Sequence, residues 1–132
     1  MSDSSETFFT SIGCMDGRVQ DPIARFGREK FGAQFPDTIT EAGLVGLLSK
    51  NIDSKLLEAI KKKLLISLEK HHSKGVIVHG HEDCAGNPVT DGKHKEDVLK
   101  SQRIIRQFVP EGTEVLPVFV TKNNGEWTVE SL

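Results

Sequence analysis

Residues 75–84 read GVIVHGHEDC, a continuous apolar run that becomes polar at its end. The apolar part, residues 75–80, follows a long helical pattern and shows no alternation of apolar and polar residues. Strands of parallel sheets have this character, because helices cover both of their faces. The stretch therefore predicts a buried strand that stops just before His81, with polar side chains following its carboxyl end.

The clearest helical pattern in the chain lies directly before this strand. Apolar residues recur there at helical spacing, and lysines and glutamates occupy the other face. We expect one helix from Ile52 to His71 and His72, ended by Gly75, that buries its apolar stripe. The stripe consists of Ile52, Leu56, Leu57, Ile60, Leu64, Leu65 and Leu68.

Three other stretches have the composition of strands. Aromatic and β-branched residues predict strands over residues 7–13, 35–40 and 115–120. The turn sequence at residues 123–125, Asn-Asn-Gly, predicts a terminal hairpin that returns through residues 127–129.

Two further helices are expected between these strands. Asp21 and Pro22 have the pattern of an N-cap followed by a first-turn proline, which predicts a short helix that closes near Gly32. Another helix is expected over residues 93–108, between the third and fourth strands. His94 in this helix is interpreted as exposed.

The alternation of strands and helices predicts an α/β fold with helices on both faces of a mainly parallel sheet. We expect the strand order 2-1-3-4 with an antiparallel C-terminal strand, in one domain over residues 1–132 whose first six residues, 1–6, form a flexible tail. In that order the first and third strands are neighbours, and the crevice beyond their carboxyl ends is where such folds bind ligands. Cys14 follows the first strand, while His81 and Cys84 follow the third, so these three residues are expected to meet.

The size and charge of the chain exclude several classes of partner. The chain has 132 residues, with 17 basic and 19 acidic side chains that give a net charge of -2. A charge this small provides no field for binding nucleic acid or an anionic membrane, so a small-molecule substrate is expected. No segment has the pattern of a secretory signal or a membrane span, and we expect a cytoplasmic protein.

The two cysteines and His81 have the chemistry of a zinc site. Two thiolates and one imidazole suit zinc, and three protein ligands with a free fourth position are typical of a catalytic site. The fourth ligand would be water, whose pKa the metal can lower to about 7, so that zinc-bound hydroxide becomes the nucleophile. Two thiolates cancel the charge of the metal, however, so neighbouring residues must assist.

Asp16 and Arg18 are the candidates for this assistance. If the segment after Cys14 stays extended, these side chains share one face with the cysteine. Arg18 can then hold Asp16 by two charge-assisted hydrogen bonds, and Asp16 can accept the proton of the hydroxide and orient it. In an alternative arrangement Asp16 itself occupies the fourth zinc position and closes the site.

Residues 14–18, CMDGR, followed by residues 80–84, GHEDC, resemble the motifs of the β-class carbonic anhydrases. The resemblance implies zinc held by Cys14, His81 and Cys84, an aspartate-arginine dyad, reversible hydration of carbon dioxide to bicarbonate, and a homodimer or higher homo-oligomer. Residues 40–44 read TEAGL, where members of that family usually have Arg-Asn-Ala-Gly-Asn, and only the Ala-Gly pair matches.

Other interpretations of the same residues remain open. Relatives with this kind of site hydrolyse carbonyl sulfide or carbon disulfide, and a non-catalytic zinc-binding module or a metal-free thiol protein would also use the two cysteines. His79 is interpreted as a residue of the sheet that binds no metal. Glu82 and Asp83 are interpreted as solvated turn residues.

Overall fold

The computed structural model describes residues 5–132. None of the helices within this range combines the length and the apolar character that crossing a bilayer requires. The prediction of one domain with a flexible tail at residues 1–6 stays a prediction, and residues 1–4 lie outside the described residues. In chain order the elements are β1 (Phe8–Gly13), α1 (Gly17–Phe31), β2 (Phe35–Thr40), α2 (Leu44–Leu48), α3 (Ser54–Glu69), β3 (Val76–His81), α4 (Asp91–Arg106), β4 (Val115–Asn123) and β5 (Glu126–Ser131).

The strands form one sheet in the order β2-β1-β3-β4-β5. The pairs of β1 with β2, β1 with β3 and β3 with β4 are parallel, and β4 with β5 is antiparallel. Parallel neighbours need long crossovers, and the helices between the strands provide them. The predicted α/β fold and strand order are therefore confirmed.

The central strand β3 is buried along its whole length, as its apolar sequence predicts. Val76 and Val78 pack in one hydrophobic cluster with residues of α2, α3 and α4. Ile77 points to the opposite face, where it packs with residues of α1 and β4. Helix α1 thus covers one face of the sheet, and the other three helices cover the other face. The neighbouring strands β1 and β3 lie between these two layers.

Helix α1 begins earlier than Asp21, so the predicted start was wrong. The helix starts at Gly17, and the side chain of Asp16 caps it by accepting a hydrogen bond from the backbone N–H of Arg18 at 2.9 Å. An N-cap aspartate satisfies one of the free N–H groups of the first turn. Because the helix starts at Gly17, Pro22 lies inside it. The predicted end is confirmed, because Gly32 adopts a left-handed φ of 62°.

Other boundaries differ from prediction by a few residues. Helix α3 ends at Glu69 rather than at His71 and His72, and β3 includes His81. The five-residue helix α2 was not predicted, because a short apolar segment lacks enough turns to show a helical period.

Leu64 and Leu65 offer a matched test of the apolar face of α3. Leu64 is 0% exposed, whereas its neighbour Leu65 is 42% exposed, so the prediction that Leu65 belongs to the buried stripe was wrong. Replacement of a buried leucine removes apolar contacts and leaves a cavity, so Leu64→Ala is expected to lower the free energy of unfolding by about 2–5 kcal/mol. Leu65→Ala is expected to change it by less than about 1 kcal/mol. Urea denaturation measures both values, and equal losses would contradict this assignment of the buried face.

Candidate metal centre

Cys14, His81 and Cys84 meet at the carboxyl ends of the neighbouring strands β1 and β3. Cys14 directly follows β1, His81 is the last residue of β3, and Cys84 lies three residues further on. One ligand atom of each residue lies within 4.8 Å of the others, and the two sulfur atoms are 3.9 Å apart. All three residues are buried. The predicted convergence of these side chains is thus present in the structure.

The His81 ring is oriented with one nitrogen free. Its Nδ1 lies 2.7 Å from the backbone carbonyl of Glu82, and a carbonyl only accepts, so Nδ1–H is the donor. The other nitrogen, Nε2, is buried and has no hydrogen-bond partner among residues 5–132. A buried polar atom without a partner costs free energy, and a metal ion would satisfy it. A backbone carbonyl that accepts from the other ring nitrogen is also one of the common ways in which proteins orient a metal-binding histidine.

The two thiols differ in their acidity. Burial raises the pKa of Cys14, but the His81 side chain and the backbone N–H groups of Gly43 and Asp16 outweigh it and lower this pKa to about 7. Burial and the neighbouring Cys14 raise the pKa of Cys84. Two thiolates this close would repel each other, which is why Cys84 keeps its proton in the absence of metal, and a divalent cation between them would remove the repulsion. The donor set, two sulfurs and one nitrogen, therefore fits zinc.

Two glycines bring the backbones around the site into direct contact. A Cβ atom on Gly43 would lie 2.3 Å from the carbonyl oxygen of Gly86, and one on Gly86 would lie 2.6 Å from the backbone nitrogen of Gly43. The N–H of Gly43 also donates to the Cys14 sulfur at 3.4 Å. The segment after β2 thus packs against the loop that carries Cys84. Gly43 belongs to the Ala-Gly pair that the sequence shares with the β-class pattern, whereas sequence reasoning missed Gly86.

Asp16 and Arg18 form the predicted two-pronged pair. Nε and Nη2 of Arg18 donate to Oδ1 and Oδ2 of Asp16 at 3.1 Å and 2.7 Å. Chiefly because of the hydrogen bonds from this guanidinium, the pKa of Asp16 falls to about 2, so the carboxylate is ionised at neutral pH. Its Oδ2 lies 3.9 Å from Nε2 of His81. The segment is not extended as assumed, since Asp16 caps α1, but the helix start still directs both side chains to the site.

Asp83 and Glu82 have partners that the sequence did not reveal. Asp83 is exposed, as predicted, yet its Oδ2 accepts a hydrogen bond from Nη1 of Arg18 at 3.1 Å and its backbone carbonyl accepts one from Nη2 at 3.0 Å. The Glu82 carboxylate accepts a hydrogen bond from the backbone N–H of Lys122. Both partners are distant in the chain, so no local pattern could indicate them.

Two further histidines lie near the site. His79 is buried in the sheet, as predicted, with its ring against the backbone of Gly13 and both ring nitrogens unpartnered within the described residues. His94 was predicted to be exposed, which was wrong, because it is 2% exposed and packs against Gly80 and Phe119. Helix α4 begins at Asp91, and His94 shares its inner face with other buried residues of that helix.

Comparison with known proteins places the chain in a family. A family model described as "Putative carbonic anhydrase" matches residues 4–132. No curated protein matches the chain.

Solved structures of similar fold agree with this match. A carbonic anhydrase from Streptococcus mutans is 17% identical, with a TM-score of 0.60 over 92% of this chain and 80% of that one. A β-carbonic anhydrase from Trichomonas vaginalis is 15% identical, with a TM-score of 0.58 over 96% and 84%. A carbonic anhydrase from Glaciozyma antarctica is 17% identical, with a TM-score of 0.54 over 91% and 80%. At these identities the structures show a shared fold.

Two buried histidines, His79 and His94, predict that the metal-free protein loses stability in mild acid, whereas His81, whose pKa is raised by its neighbours despite its burial, does not contribute to this loss. Burial lowers the pKa of His79 to about 3 and that of His94 to about 4. Both values lie below the ordinary pKa of about 6.5, so between pH 6.5 and 4 the unfolded chain binds protons that the folded chain does not. Stability is therefore present above about pH 6.5 and is lost as the pH falls, by up to about 1.4 kcal/mol per pH unit for each histidine.

Urea denaturation at pH 7, 6 and 5 measures this slope. His94→Gln is expected to reduce it, because the variant has one titrating group fewer. An unchanged slope in His94→Gln would contradict a neutral, buried His94.

Proposed function

We propose that this chain, which belongs to the carbonic anhydrase family, is a lyase that catalyses the reversible hydration of carbon dioxide to bicarbonate with one zinc ion. The observation that carries the proposal is the convergence of Cys14, His81 and Cys84, whose ligand atoms lie within 4.8 Å of one another. The family match and the fold of the sheet support the same conclusion. Carbon dioxide is small and neutral, which suits a chain without a strong electrostatic field.

Cys14, His81 and Cys84 would hold the metal through two sulfurs and Nε2. Three protein ligands leave one coordination position free, which is typical of catalytic zinc sites. When bound, the metal would acidify a water molecule and supply a hydroxide nucleophile near neutral pH. Because the three side chains are buried, the ligand atoms are largely shielded from bulk solvent.

Asp16 and Arg18 would orient the reacting groups in this proposal. The pKa of Asp16, about 2, keeps its carboxylate an acceptor of hydrogen bonds at working pH. Arg18 fixes both carboxylate oxygens, so the lone pairs that remain point in a defined direction. A carboxylate fixed in this way would raise the rate by keeping the reacting groups in the reactive orientation.

We further propose a cytoplasmic homodimer or higher homo-oligomer. Both cysteines are free, and thiols remain reduced in the cytoplasm, where they can bind metal. The resemblance to the β-class enzymes supports association of several copies, and a small molecule remains the expected partner of the site.

Zinc content tests the proposed ligands. Protein purified without added metal is expected to contain about one zinc ion per chain, and Cys84→Ser is expected to lose most of it, because a neutral hydroxyl replaces a thiolate. His94→Gln is the matched control, since it alters a buried histidine that is not a proposed ligand and should retain zinc. Elemental analysis measures the ratio, and a Cys84→Ser protein that keeps its full zinc content would refute the ligand set.

Asp16→Asn tests the proposed orienting group. The variant keeps the size of the side chain but removes the charge, so kcat/KM for carbon dioxide hydration is expected to fall by about 100-fold while zinc stays bound. Asp21→Asn, which changes an exposed carboxylate on the same helix, should have full activity. Stopped-flow measurement of proton release gives the rates.

The same assay separates the alternative functions. Zinc-loaded wild-type protein that does not hydrate carbon dioxide would contradict the proposed enzyme, and turnover of carbonyl sulfide or carbon disulfide instead would identify a related hydrolase. Bound zinc with no turnover of any of these substrates would identify a non-catalytic module.

A further inference from the structure

We propose that Asp83 and Trp127 are positioning residues that hold Arg18 against Asp16. The proposal rests on the proposed function, in which the fixed carboxylate of Asp16 orients the reacting groups. Neither residue belongs to the five positions that the sequence motifs indicate.

The donors of Arg18 are divided between two acidic residues. Nε and Nη2 bind the carboxylate of Asp16, while Nη1 binds the carboxylate of Asp83 at 3.1 Å. Nη2 also donates to the backbone carbonyl of Asp83 at 3.0 Å. A guanidinium is planar, and its N–H groups point outward within that plane. The two aspartates therefore hold the group from two directions in its plane.

Trp127 covers a face of the same guanidinium. The Cζ atom of Arg18 lies 4.8 Å from the centre of the indole ring. Arginine over an aromatic ring at this distance is a favourable cation-π arrangement. Hydrogen bonds in the plane and the ring against the face together restrict both the position and the tilt of Arg18.

The hairpin of β4 and β5 carries Trp127 and is hydrogen-bonded to the loop that carries Asp83. Trp127 on β5 pairs with Lys122 on β4, and the backbone N–H of Lys122 donates to the carboxylate of Glu82. The N–H of Glu82 in turn donates to the carbonyl of Val120 at 3.0 Å. The loop that carries Asp83 is thus attached to the same hairpin that carries Trp127, and Arg18 lies against both.

Asp83 suits its place in the loop between His81 and Cys84. Its φ of 55° is left-handed, a conformation that aspartate and asparagine tolerate better than most residues. In this conformation its backbone carbonyl and its carboxylate both accept hydrogen bonds from Arg18. The loop with two proposed metal ligands is thereby joined to the residue that fixes Asp16.

The expected effect of each contact is modest. The side chains of Arg18 and Asp83 are 43% and 80% exposed, and exposed ion pairs contribute little when they act alone. Loss of Asp83 is therefore expected to loosen Arg18 without releasing it, and to lower kcat/KM for hydration by about twofold to fivefold.

Trp127 is the one tryptophan of the chain, so its fluorescence reports on the contact with Arg18. Asp83→Ala should raise the quenching of this fluorescence by acrylamide, because a looser guanidinium covers the ring less, and Arg18→Ala should raise it further. In the double variant, Asp83→Ala should add nothing to Arg18→Ala, in quenching or in kcat/KM. Effects that add in the double variant, or an Asp83→Ala protein with unchanged quenching, would overturn the proposal.

Two variants separate the carboxylate from other causes. Asp83→Asn retains a residue suited to the left-handed conformation, so raised quenching in this variant assigns the effect to the lost charge, and unchanged quenching would contradict the role of the carboxylate. Glu111→Gln, an exposed change in the loop between α4 and β4, should leave quenching and activity unchanged.

The contribution of Trp127 is measured on Arg18 itself. Hydrogen exchange of the Arg18 Nε–H, followed by nuclear magnetic resonance, should become faster in Trp127→Leu, and an unchanged rate would overturn the role of the indole. Quenching and exchange are both measured on metal-free and on zinc-loaded protein. A protein whose variants change quenching and exchange as expected, but which hydrates no carbon dioxide, would support the contacts and refute the proposed function. An active protein whose variants do not show these changes would refute only the positioning role.

Discussion

The parallel pairing of β1 with β3 is the constraint on which the site depends. Ile12 lies opposite Val78 in this pair, so Cys14 and His81 emerge at the same edge of the sheet although they are 67 positions apart in the sequence. Side chains of a strand alternate between faces, and a slip of one residue would turn His81 to the opposite face. The register between these two strands therefore determines whether the three buried donors can meet.

Small residues allow the surrounding backbone to close around this edge. Gly13 leaves room for the ring of His79, and the contact between Gly43 and Gly86 holds the loop of Cys84 against the segment after β2. These contacts are tightly packed, because a Cβ atom added to any of these glycines would clash with a ring or a backbone atom. Close backbone contacts therefore surround the candidate metal ligands.

Much of this arrangement could be predicted from the sequence, because it follows from strong local patterns. The apolar run of β3 and the stripe of α3 predict buried elements, and their alternation predicts the parallel sheet and the meeting of its strand ends. Weaker signals led to errors: Pro22 is compatible with a helix start, but the capping hydrogen bond of Asp16 determines the first turn. The contact of Asp83 with Arg18 depends on tertiary packing, so periodicity and spacing do not indicate it. His94, in contrast, lies at helical spacing from apolar residues of α4 that are also buried, so the period of this helix could have indicated its burial.

The proposed function rests on the binding of one zinc ion by two sulfurs and one imidazole nitrogen. X-ray absorption at the zinc edge of the zinc-loaded protein measures this most directly, because sulfur and nitrogen ligands differ in distance and in scattering. Binding by Cys14, His81 and Cys84 predicts two sulfur ligands at about 2.3 Å and a nitrogen ligand at about 2.0–2.1 Å. A spectrum with nitrogen and oxygen ligands alone, without sulfur, would contradict it.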